Sequence, residues 1–80
     1  MNIIKLEKAL QERGVPASYY SLKGGLPNET HCISKRSKYW EVYYSERGQK
    51  SGLKTFKSES EACKYFYDWL VGGLERMDLI

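Results

Sequence analysis

Hydrophobic and polar positions change period along the chain, from helical to alternating and back. Ile3, Leu6, Ala9 and Leu10 recur at helical spacing, with Lys5, Glu7, Lys8, Gln11 and Glu12 mostly on the opposite side. This predicts a helix over residues 3–13, capped by Asn2, stopped at Gly14 and barred from continuing by Pro16. Residues 18–22, Ser-Tyr-Tyr-Ser-Leu, predict a first strand. Residues 23–28 predict a turn or loop, because a Gly pair and a Pro interrupt any ladder. Thr30 to Lys35 predicts a second strand. Its alternation is weak and leaves open whether His31 and Ile33 or Cys32 and Ser34 face the core.

The strongest strand signal is Tyr39-Trp40-Glu41-Val42-Tyr43-Tyr44-Ser45-Glu46-Arg47-Gly48, rich in residues suited to a pleated, half-buried surface. Alternation puts Trp40, Val42 and Tyr44 on one face and Tyr39, Glu41, Tyr43 and Ser45 on the other. Arg36-Ser37-Lys38 is short enough to make the preceding connection an antiparallel hairpin. Residues 46–52 predict a second connection, with Gly48 and Gly52 available for positive φ, and residues 53–57 a last strand. Ser58-Glu59-Ser60-Glu61 is a capping box. The helix after it aligns Ala62, Phe66, Trp69, Leu70 and Gly73 on one side and is expected to fray at Gly72-Gly73, where each Gly costs about 1 kcal/mol against Ala. The expected fold class is therefore α+β. It is a two-layer sandwich in which an antiparallel sheet of three to four strands carries an N-terminal and a C-terminal helix on one face, with the other face open. Residues 1–80 form a single domain.

Composition adds little to this outline, except in its aromatics. Apolar residues make up 41% of the chain and charged residues 29%, ordinary for a globular domain. Aromatics reach 14%, mostly seven Tyr, a side chain that serves core edges and recognition surfaces alike. Net charge is +3, with ten acids interspersed among thirteen bases, short of the dense basic stripe of a dedicated nucleic-acid binder. No apolar run approaches the ~20 residues of a bilayer span, and the opening residues lack the apolar stretch of a secretory leader. The expected location is cytoplasmic, with Cys32 and Cys63 as reduced thiols and no membrane association.

No catalytic or metal constellation emerges. Two Cys and one His without a C-x-x-C do not make a zinc site, and His31 has no orienting partner nearby in sequence. Lys23-Gly24-Gly25 lacks the strand, Lys-Ser/Thr and helix context of a phosphate loop. Glu59 and Glu61 are accounted for by capping. The remaining candidates are partner-binding ones. Tyr19, Tyr39 and Tyr43 are expected as outward anchors, and Glu41, Glu46 and Arg47 as the charged groups around them.

Two resemblances bear on function. The helix–strands–helix order, Tyr20 before a Gly loop, and Gly52 and Phe56 before an Ala62-bearing helix are similar to the double-stranded-RNA-binding domain. That family grips phosphates with a Lys-rich helix start. The matching position here is the acidic Ser58-Glu59-Ser60-Glu61, and the family's Gly-Pro-His loop is absent. Nucleic acid is thus the alternative partner, through Lys23, Lys35, Arg36, Lys38, Lys50 and Lys54. From Leu6 to Leu70 the chain resembles small bacterial immunity proteins of polymorphic-toxin and contact-dependent-inhibition systems. The similarity lies in Tyr-Tyr-Ser-Leu at 19–22, Trp40 to Gly48, and Phe56-Lys57-Ser58-Glu59-Ser60-Glu61-Ala62-Cys63. It implies a non-enzymatic protein without cofactor that binds a cognate toxin domain and blocks it sterically.

Overall fold

A computed structural model describes all residues, Met1–Ile80, in the order α1 (Ile3–Glu12), β1 (Tyr20–Ser21), β2 (Thr30–Lys35), β3 (Trp40–Glu46), β4 (Gln49–Phe56) and α2 (Glu59–Arg76). The α+β class and the helix–strands–helix order match the sequence pattern. One sheet runs β1-β2-β3-β4, with β2, β3 and β4 antiparallel and β1 parallel to β2. The expected first strand over 18–22 shrinks to two residues, because Ala17–Tyr19 close a 3-10 turn in which the Tyr19 amide donates to the Pro16 carbonyl at 3.0 Å.

Local chemistry builds both helices. The Asn2 side chain accepts from the Lys5 amide, and the Ser58 hydroxyl accepts from the Glu61 amide at 3.1 Å while donating to the Glu61 carboxylate at 2.9 Å. Gly14, at φ +83°, ends α1 in a Schellman motif, its amide donating to Gln11 and that of Val15 to Leu10. Asp78, at φ +56°, closes α2 in the same way, with the Leu79 amide on the Leu74 carbonyl. The fraying expected at Gly72-Gly73 does not occur: the helix continues to Arg76, because Val71 and Leu74 on either side are buried in the core. Leu6 and Leu10 of α1, Ile33 and Val42 of the sheet, and Ala62, Phe66 and Leu70 of α2 form that core on one face.

The last strand starts earlier than expected, at Gln49 rather than Leu53. Arg47 at φ +51° and Gly48 at φ +72° form a two-residue turn with both centres left-handed, as a type I′ hairpin requires. Gly52, at φ +62°, instead serves a bulge. The register passes from Val42↔Lys54 to Tyr44↔Ser51, so β4 carries one extra residue opposite Tyr43.

The face away from the helices is not open. Residues 22–29 leave β1 and cross behind the sheet before re-entering as β2, which is why β1 runs parallel to it. The crossing is fixed by Ser21 Oγ donating to the Gly24 carbonyl at 2.8 Å and Tyr43 Oη donating to the Gly25 carbonyl at 2.7 Å. Beneath it, Thr30, Cys32, Glu41, Tyr43 and Ser45 are all buried. The unresolved facing of β2 thus has a two-sided answer. Ile33 joins the helix-side core and Cys32 packs under the loop, and neither is exposed.

Candidate interaction surface

The six residues expected to bind a partner separate into three environments. Tyr43 and Glu41 are buried, at 1% and 6% exposure, and this corrects the expectation that they stand outward on an open sheet. The alternation was right, but the 22–29 loop covers their face. Tyr43 has become a core residue whose phenol is pushed up to about 12, chiefly by burial and then by the Cys32 thiol and Glu41 carboxylate nearby. Lys50 reaches back along the sheet, its Nζ 4.8 Å from the centre of the Tyr43 ring and 3.0 Å from Glu41 Oε1. Arg36 approaches the same carboxylate oxygen at 4.0 Å. Glu41 is therefore the centre of a structural charge cluster, since a buried carboxylate requires such partners.

Tyr19 is half-buried in the 3-10 turn and packs against the helix-side core. Only Tyr39, Glu46 and Arg47 of the six are exposed. Tyr39 stands at the β2–β3 turn, its carbonyl accepting from the Arg36 amide at 2.8 Å. Glu46 and Arg47 lie at the other end of β3 and, with Gln49, line a polar recess at the hairpin tip. The sheet thus carries its outward candidates at opposite ends, with β4 running between them. β4 is the last strand of the sheet, so its outer backbone groups have no strand partner.

Reactive side chains are turned inward. His31 meets the Trp69 ring at 4.4 Å and the edge of Tyr44 at 5.0 Å. Burial lowers its pKa, offset in part by the Tyr19 backbone, which favours the neutral imidazole. Cys63 lies in the helix-side core with its thiol pushed up to about 11, and burial likewise raises Cys32. Burial opposes the thiolate at both positions. A recess of about 240 Å³ beside α2 is lined by Met1, Ser60, Lys64, Tyr67 and Asp68, and Lys64 is already paired with Asp68 at 3.1 Å. No group of three or more His, Cys, Asp or Glu side chains is placed to hold a metal ion, and no helix is long and apolar enough to cross a membrane.

Charge on the sheet is segregated in a way the net value hides. Residues 35–57 hold seven of the thirteen cations but two of the ten acids, and one of those acids is the buried Glu41. Lys35, Lys38, Lys54 and Lys57 are exposed and form no ion pair. The register gathers them, because Lys35 lies opposite Trp40, Trp40 opposite Phe56, and Lys57 follows Phe56. Compared with family models, curated proteins and solved structures, the chain matches none.

Proposed function

We propose that the chain is an immunity protein, a cytoplasmic binder that neutralises a cognate bacterial toxin domain by covering it, without chemistry of its own. What supports this most is the contrast between the two ends of β3 and the interior. Tyr39, Glu46 and Arg47 are displayed at the two ends of β3, a strand buried on both of its faces, whereas His31, Cys32 and Cys63 are committed to packing. A rigid strand carrying an aromatic at one end and an Arg at the other loses little conformational freedom on binding, which favours tight occlusion. The test is co-expression and co-purification with a toxin domain taken from a neighbouring reading frame. A complex at micromolar protein and rescue of growth are expected, with Tyr39→Ala and Glu46→Ala/Arg47→Ala each weakening the complex by about tenfold. If no complex forms and the cells die, the proposal fails.

A second function, nucleic-acid binding, draws on the exposed cations of the β2–β3 turn and on Lys23 and Lys54. Two of the six cations assigned to it, Arg36 and Lys50, already face Glu41. Oligonucleotide affinity that collapses between about 50 and 200 mM salt would favour this function over the first.

A further inference from the structure

The geometry points to the outer edge of β4 as a docking site for an extended acidic segment of a partner protein, added to the sheet as a fifth strand. This rests on the protein-binding function proposed above and narrows it to one surface and one partner chemistry. Three observations lead to it. β4 is eight residues long and its outer edge pairs with nothing, so it offers a ladder of backbone donors and acceptors. Leu53, at 46% exposure, supplies an apolar contact in the middle of that ladder. Lys54 lies in the strand's far half and Lys57 just beyond its end, and Lys35 and Lys38 continue the positive charge around the adjoining turn.

Lysines on an edge strand also discourage self-pairing. A second copy of this chain would bring Lys54 and Lys57 against like charges, whereas an acidic incoming strand with carboxylates on both of its faces would meet Lys54 on the helix side and Lys57 on the other. A long polyanion fits less well. Glu46 bounds the cationic stretch at one end and Glu59 and Glu61 at the other, leaving about 26 Å of strand, roughly eight residues at 3.3 Å each. Nucleic acid, moreover, makes no use of a strand's backbone ladder. The bulge at Gly52-Leu53 divides that ladder and directs strand addition to the half that carries Lys54, Thr55 and Phe56, with Leu53 at its border.

The probe is a nine-residue peptide of Glu, Asp, Val and Thr with carboxylates on both faces of its extended form, titrated into the full chain by fluorescence anisotropy. Three controls accompany it: its Lys counterpart, a version N-methylated at alternate amides, and a twenty-nucleotide oligothymidylate. Binding of the acidic peptide is expected, weakened at least about tenfold by N-methylation and to the same extent by Lys54→Glu/Lys57→Glu, with added amide protection in β4. The inference is overturned if the peptide does not bind at about 100 μM, if the methylated peptide binds equally well, or if the oligonucleotide binds more tightly. Capture of the toxin domain is measured in parallel. Capture that survives Lys54→Glu/Lys57→Glu overturns the edge site and leaves the immunity function standing, whereas failure of the unmodified chain to capture it removes that function itself.

Discussion

Replacing Gly24 by Ala tests whether the loop behind the sheet is a structural lid. Gly24 has φ +72°, and a Cβ there would lie 2.6 Å from Ser34 Oγ and 2.8 Å from Ser34 Cβ. The Ser34 Cβ is fixed to a strand and cannot rotate away, so the loop must lift. The left-handed backbone costs about 1–2 kcal/mol with a side chain. The steric displacement adds about 1–3 kcal/mol. Lifting the loop also strains the 2.7 Å bond from Tyr43 to Gly25, worth about 1 kcal/mol. A loss of about 3–6 kcal/mol is expected, a large share of the about 4–12 kcal/mol that 80 residues typically hold. Gly25 is the internal control. It has φ +83°, but its nearest neighbour would be Pro27 Cδ at 3.8 Å, so Gly25→Ala carries the backbone cost alone. Urea unfolding at unchanged slope measures both. If the two variants cost the same within about 0.5 kcal/mol, the close approach to Ser34 does not constrain the loop and the lid is wrong.

Three further outcomes are expected. Lys50→Met keeps the hydrocarbon over Tyr43 but strips the closest partner from the buried Glu41 carboxylate, and should cost about 1–3 kcal/mol. Adding Glu41→Gln should restore part of this in a double-mutant cycle, and a neutral Lys50→Met would show that Arg36 alone suffices. His31 has a lowered pKa in the fold, so the unfolded chain binds the extra proton. Stability should hold above about pH 7 and decline as pH falls through about 6.5 toward the folded value, and His31→Phe should flatten urea midpoints across that window. Asp78→Gly relieves a left-handed residue at the close of α2 and should stabilise by about 1 kcal/mol, raising Tm by about 4–8 °C, so an unchanged melting curve would count against the Schellman assignment.

Features decided within a few residues were legible in the sequence. Asn2 and Ser58 accept from amides three positions on, and Gly14 takes the left-handed φ that ends α1, each as its residue type demands. Features decided by distant packing were not. Nothing near Tyr43 shows that Gly24 and Gly25, eighteen or more residues upstream, fold across its face, so alternation alone placed it and Glu41 at the surface. The intrinsic cost of Gly72-Gly73 was overridden by the burial of Val71 and Leu74. The type I′ turn was hidden because Arg47 stands where Asn or Asp would have signalled it. Lys35, Lys38 and Lys54 were legible as candidate cations, but their segregation, with Lys57, was hidden because a net charge of +3 averages a positive hairpin against a mildly acidic remainder; a windowed count over residues 35–57 reveals it.

The carboxylate of Glu59, in the first turn of α2, accepts the Ile3 amide at the start of α1 at 2.9 Å, joining positions 56 apart in the chain. A ten-residue helix is too short to persist alone in water, and Leu6 and Leu10 find cover against residues of α2. As the ribosome makes the chain, α1 must therefore wait, unformed, until α2 has left the exit tunnel. The helix made earlier is thus secured later, and its amides should exchange with deuterium no more slowly than those of α2, on which it depends.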